Sequence, residues 1–276
     1  MLVSGGGYLG PKEIKYLFID GGCLRVCLER MSDVYTGGAT LDLDYGRLTS
    51  TYSKVFYYDA LPERKWDEDD QIYRTRVAPQ RNLFDRLSSL DRFHVYEGDV
   101  RRSFSRRGPE QKKIDVMIAV DMLTHSFRRN MHEATLLTGD LDFKPLIDAL
   151  VQEGMFVTLW CPPGTTSKEL IAAADRSERF NIASIYHALA EPRPFMIPKV
   201  LAAPSKGDYA PILMQWSVDG GEVKLMKDGE TFVVVVAAAN NPNRGYVTYY
   251  EHTDLSLLRA YLDEVGGILL PDSTAP

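Results

Sequence analysis

The chain has 276 residues, 45% of them hydrophobic, which is enough for one large domain or for a medium and a small one with real cores. A formal net charge of −6 excludes bulk electrostatic attraction to nucleic acid, so a polyanionic partner must meet a local basic patch.

Ile14–Ile19 is an apolar strand that ends at Asp20, and Gly21-Gly22 turn the chain into a helix carrying Leu24, Val26, Cys27 and Leu28. The G-x-G-x-x-G spacing is missing and the glycines follow an acid, which repels phosphate, so a dinucleotide site is excluded. A loop and a helical segment around Tyr45–Tyr52 lead to a second strand, Lys54–Tyr58, ending at Asp59. The charged loop LPERKWDEDDQ follows, then a helix over Val77–Leu90 with Leu83, Leu87 and Leu90 on one stripe. Arg92–Tyr96 is a third, short strand. Asp115 opens the next helix, with Asp121 further along it.

The fourth strand is Ala134–Leu137. Gly139 permits a tight turn, and Asp142–Glu153 has helical apolar spacing at Leu146, Ile147, Leu150 and Val151. Met155–Trp160 is the fifth strand, and helical segments over Thr165–Ala174 and Arg179–Leu189 complete the unit. Strands alternating with helices imply right-handed crossovers and an α/β fold, a mostly parallel sheet sandwiched by helices.

This places a first domain over residues 1–190 and a Pro-rich linker, EPRPFMIPKVLAAPSKGDYAP, over 191–210. A smaller β-rich α+β domain follows over 211–276, with strands Ile212–Val218, Glu222–Met226, Thr231–Ala237 and Tyr246–Tyr250 and a helix over Asp254–Val265. Its exposed strand edge suits a homo-oligomer. The three cysteines, Cys23, Cys27 and Cys161, form no C-x-x-C pair, and no histidine stands at zinc-finger spacing, so a reducing compartment fits. With no signal-peptide layout and no segment of transmembrane length, a cytoplasmic protein without a membrane partner is expected.

In an open parallel sheet, ligands sit beyond the carboxyl ends of the strands, where the strand order reverses. If the first and fourth strands are neighbours there, Asp20, Asp140 and Asp142 converge from distant sequence, and Asp115 closes the ring. Carboxylates in one small volume repel one another unless a cation sits between them, and oxygen ligands select Mg²⁺ or Mn²⁺. The chemistry implied is phosphodiester hydrolysis. Arg101, Arg102, Arg106, Arg107, Lys112 and Lys113, just before the acids, would hold a single-stranded RNA by its phosphates, with Phe104 and Phe143 available for base stacking.

Plainer roles compete for each residue. Asp115 and Asp142 suit helix N-caps, Asp20 and Asp59 suit turns, and the basic run suits a solvated loop. Asp121 lies about 240° around the helix from Asp115 and does not share its face. The five histidines have neither triad context nor metal spacing, and Cys23 and Cys27, one helical turn apart, suit packing.

With these residues in view, the chain resembles the NYN domain family, a branch of the PIN-like ribonuclease superfamily. The matching pieces are LFIDGG ending at Gly22, VFYYDA at 55–60, KKIDVMIAVDM at 112–122 and ATLLTGDLDFKPLIDALVQEGMFVTLW at 134–160, spread over most of 13–185. The resemblance implies a PIN-like sheet and metal-dependent cleavage of RNA. It puts Asp20, Asp115, Asp140 and Asp142 on the family's acidic positions, and Asp59 and Asp121 on positions commonly acidic there. The family's first motif usually reads D-G-x-N, and Cys23 stands at the Asn position, so a weak donor replaces an amide. The alternative is therefore a non-catalytic RNA-binding or scaffolding NYN-domain protein. A haloacid dehalogenase-type phosphatase is disfavoured, because its nucleophile motif needs a second Asp where Gly22 stands.

Overall fold

The run Tyr16–Ile19 is apolar at every position because it becomes a central strand buried on both faces. The computed structural model describes residues 13–98, 109–202, 211–218, 220–237 and 247–271, leaving aside the side chains of 109–112. Strands β1 (Lys15–Asp20), β2 (Lys54–Ala60), β3 (Phe93–Gly98), β4 (Glu133–Leu137), β5 (Phe156–Cys161) and β6 (Arg176–Arg179) pair in parallel in the order β3-β2-β1-β4-β5-β6. The intervening helices are α1 (Gly21–Thr36), α2 (Tyr45–Leu48), α3 (Asp70–Ser88), α4 (Pro109–Phe127), α5 (Lys144–Gln152), α6 (Lys168–Ala173) and α7 (Ile182–Ile185).

Strand alternation sends Tyr16 and Phe18 to one face, where they join Ile114, Ile118 and Met122 of α4 and Leu146, Ile147 and Leu150 of α5. On the other face, Tyr57 meets Phe84 of α3 edge-on at 6.1 Å. Leu17, Phe18 and Ile19 are fully buried, and each contributes roughly 1.5–3 kcal/mol by leaving water. The chain builds outward from β1 through β2 to β3, then crosses to β4, so the strand order reverses between β1 and β4.

Elements differ from the sequence expectation where apolar signal is weak. β6 reads RSER, is exposed throughout, and exists because its backbone pairs with β5 from Thr158↔Arg176 to Cys161↔Arg179. The helix expected over Arg179–Leu189 reduces to α7 and a 3-10 turn over Tyr186–Ala188. α3 begins at Asp70, where the Asp69 carboxylate accepts from the Gln71 N–H at 2.7 Å and caps the helix. α4 begins at Pro109, so Asp115 lies in its second turn and cannot be its N-cap.

Contacts divide the chain into two compact units. The first runs to Cys27 and resumes from Asp44 to Phe180; the second takes Leu28–Leu43 and the chain from Asn181 onward. Composition alone suggests a boundary at 191–210, ten residues further along.

The second unit holds β7 (Lys199–Leu201), β8 (Ile212–Val218), β9 (Gly221–Asp228), β10 (Thr231–Val236) and β11 (Thr248–His252), antiparallel in the order β7-β11-β10-β9-β8. Helix α8 (Leu255–Tyr261), continued by a π turn over Leu262–Gly266, covers one face. Val223, Leu225 and Val234 pack there against Leu258, Leu262, Ile268 and Leu270. In the same unit the Tyr35 hydroxyl donates to Glu264 Oε2 at 2.5 Å, and its ring stacks on Phe195. No described helix is long and apolar enough to cross a membrane.

Gly21 fixes how α1 leaves the sheet. A Cβ there would lie 2.6 Å from Asp59 Cβ and 2.7 Å from the Tyr57 ring, both on the neighbouring strand. Gly21→Ala is expected to cost about 1–3 kcal/mol through this overpacking, read as a lower urea midpoint. An unchanged midpoint would mean that the close approach is not a constraint.

Candidate active site

β1 and β4 run side by side up to Ile19↔Leu137, so the next residues, Asp20 and Thr138, meet where the strand order reverses. Asp20 is buried at the foot of α1. Its Oδ1 accepts the Cys23 N–H at 3.1 Å, and its Oδ2 accepts the Thr138 hydroxyl at 3.3 Å. Asp20 thus serves as the N-cap of α1, with the positive end of the helix dipole against it. Burial nevertheless pushes its pKa up, aided by the charge of Asp59 and opposed by the Cys23 N–H and the Thr138 hydroxyl.

Thr138 ties the two strand ends together, a role that reading the acids alone misses. It is fully buried, and while its Oγ1 donates to Asp20 it accepts the Asp140 N–H at 3.2 Å. Asp140 Oδ1 in turn accepts the Asp142 N–H at 2.9 Å and caps the 3-10 turn Leu141–Phe143. The capping role considered for Asp142 therefore falls to Asp140. Asp142 is exposed, and its carboxylate accepts no hydrogen bond among the described residues.

Asp115, half-buried on α4, completes the group electrostatically. Its pKa is pushed up to about 6, first by burial and then by the charges of Asp20, Asp140 and Asp142. Among the described residues, no Lys or Arg stands within 4.0 Å of any of these four carboxylates.

The structure does not bring the two further acids into this group as free ligands. Asp59 is buried and saturated: Arg25 Nη1 and Gln80 Nε2 both reach its Oδ2 at 2.7 Å, and the Ala60 N–H donates to its Oδ1. It clamps α1 and α3 to the end of β2. Asp121 accepts the Tyr58 hydroxyl at 2.8 Å and contributes nothing to the shift of Asp115.

Cys23 sits beside Asp20, with its thiol hydrogen-bonded to Cys27 and held by the Gly139 N–H. The Cys27 thiol and burial push its pKa up, so it is protonated at neutral pH and is not a nucleophile. Of the basic positions, Lys113 is exposed two residues before Asp115. Arg101, Arg102, Arg106 and Arg107 and the side chain of Lys112 lie outside the described residues.

The donor chemistry fits a hard divalent cation: four carboxylates, no bound counter-charge, and mutual repulsion that a cation would relieve. The fit is open rather than chelating. Among the described residues no three His, Cys, Asp or Glu side chains stand close enough together to hold one ion. Such an ion would keep much of its water, as Mg²⁺ does.

The NYN domain family model matches residues 24–180. The chain belongs to the NYN domain family. The match places this NYN domain in the PIN-like nuclease superfamily and covers Asp115, Asp140 and Asp142, beginning four residues after Asp20. No curated protein matches the chain. Among solved structures, a protein of unknown function from Vibrio parahaemolyticus is similar at 18% identity and a TM-score of 0.46, over 65% of this chain and 97% of that one.

A pH dependence follows for the metal-free NYN domain. The Asp115 pKa of about 6 lies above its ordinary 3.8, so the folded chain binds more protons between these values. Asp115 therefore adds stability at low pH that is lost as pH rises through about 6. A shift of about two pKa units corresponds to roughly 3 kcal/mol, and partial exposure reduces it to about 1–2 kcal/mol. Asp115→Asn is expected to flatten the urea midpoint between pH 4 and 7, with the largest gain at pH 7. A midpoint profile parallel to wild type would contradict the placement of Asp115 among the acids.

Proposed function

We propose that this NYN-domain protein is a metal-dependent ribonuclease that hydrolyses phosphodiester bonds of single-stranded RNA, with Mg²⁺ or Mn²⁺ as cofactor. The observation that carries the reading is the junction at the strand-order reversal, where the Thr138 hydroxyl binds Asp20 and accepts the Asp140 N–H, with no Lys or Arg within 4.0 Å of these acids among the described residues. When bound, a divalent cation supplies positive charge to the scissile phosphate and its departing oxygen.

The chain's own residues do the holding and aiming. Asp20, Asp115, Asp140 and Asp142 are the candidate oxygen ligands; fewer than three of them would touch one ion directly, and the others would act through its water. Thr138 keeps Asp20 Oδ2 in one orientation and fixes the loop that carries Asp140. The like charge of the four carboxylates opposes an approaching RNA phosphate, and a bound cation would offset that repulsion. Lys113 at the start of the described part of α4, together with Arg101, Arg102, Arg106, Arg107 and Lys112, supplies backbone contacts that are independent of sequence. No protein nucleophile is required, which agrees with the protonated thiol of Cys23.

Cys23 also favours a second reading, a non-catalytic RNA-binding or scaffolding protein. Its thiol is engaged with Cys27 and Gly139, and no side-chain amide occupies that position. The two readings separate in one experiment with end-labelled single-stranded RNA, Mn²⁺ or Mg²⁺, and an EDTA control. Cleavage is expected only with metal. Asp140→Asn and Asp115→Asn should lower it about 100-fold or more, and Thr138→Val about 10–100-fold, with RNA retention preserved. Retention without cleavage in either metal selects the scaffolding reading, and cleavage that survives EDTA removes the acids from the mechanism.

A further inference from the structure

Sheet edges expose unpaired backbone groups, and folded proteins blunt them with charge, short length, bulges or a cover. Three of the four edges here follow that rule. β6 has four residues and carries Arg176, Glu178 and Arg179; β7 has three and carries Lys199; β3 carries Glu97. β8 does not. It is the outer strand of the second sheet, seven residues long, and Ile-Leu-Met-Gln-Trp-Ser-Val contains neither a charge nor a proline. Its first two residues, Ile212 and Leu213, are each 51% exposed.

The pairing of β8 with β9 shifts register between Ile212 and Met214, so the regular part of the strand is Met214–Val218. Within it, Met214, Trp216 and Val218 face α8 and pack against the apolar core, while Gln215 and Ser217 are exposed on the opposite face. We propose that β8 pairs antiparallel with β8 of a second copy of this chain, about a two-fold axis through Trp216, joining the two five-stranded sheets into one.

The occupant follows from the strand's self-complementarity. That register sets Met214 against Val218, Trp216 against its own copy, and Gln215 against Ser217, so apolar side chains meet on the α8 side and polar ones on the other. A slip of one residue would turn the two faces against each other, which pins the register. The nearest charges are also compatible with a like neighbour. Glu222 on β9 binds Lys224 at 2.7 Å and is hydrogen-bonded by Gln215, so each copy brings a locally neutral pair to the seam. A strongly charged partner would find no counter-charge on the strand itself.

The test uses the full chain and light scattering coupled to size exclusion. Wild type is expected at twice the chain mass. Gln215→Lys with Ser217→Lys places like charges opposite each other across the seam and should halve that mass with unchanged circular dichroism, since both side chains are exposed in the single chain. Gln215→Glu with Ser217→Glu should do the same, and mixing the two variants should restore the doubled mass as a heterodimer. A monomeric wild type, a dimer that persists in the lysine variant, or a mixture that stays monomeric would each overturn the proposal. If the lysine variant loses its fold, the glutamate variant alone and its failure or success in dissociating decide the matter.

Discussion

Asp20 is a carboxylate buried at the end of a central strand, and the surrounding architecture follows from the need to satisfy it. A buried anion without partners costs several kcal/mol. This one is stabilised by the first turn of α1 on one side and by the Thr138 hydroxyl on the other, so a helix start and a neighbouring strand end are both fixed to it. The glycine that lets α1 begin against Tyr57 and Asp59 belongs to the same solution. Asp115 on α4 is pushed up first by its own burial and then by the charges of Asp20, Asp140 and Asp142.

The sequence makes much of the first sheet legible because its strands are buried on both faces and appear as unbroken apolar runs between turn residues. Asp20, Asp140 and Asp142 are visible for the same reason, as acids at the ends of such runs. What escapes is what has no apolar signature. β6 is four exposed polar residues whose only warrant is backbone pairing with β5. The start of α4 at Pro109 is hidden in a stretch of charges and glycine, which makes Asp115 look like a cap when it lies a turn further in. Thr138 looks like an ordinary strand-end residue until its two hydrogen bonds are seen. Asp59 and Asp20 look alike in sequence, each an acid closing a strand, and only the arrival of Arg25 and Gln80 from two helices separates them.

In the second unit, helix α8 covers one face of an antiparallel sheet, and its two edges are treated differently. One ends in a three-residue strand with a lysine; the other ends in seven uncharged residues. Local propensity explains each strand, but neither propensity nor core packing explains an edge that stays uncharged among the described residues, since the core is already filled from the α8 side.

The guanidinium of Arg25 has one more consequence. It stands five residues beyond Asp20 and remains partly open to solvent while it binds Asp59. Two neighbouring strand ends thus present opposite situations to an arriving cation: at Asp59 it would have to evict a tethered guanidinium, whereas at Asp20 it would meet only neutral hydrogen-bond donors. The end of β2 is thus already neutralised by a tethered guanidinium, while the end of β1 is held by an N–H and a hydroxyl.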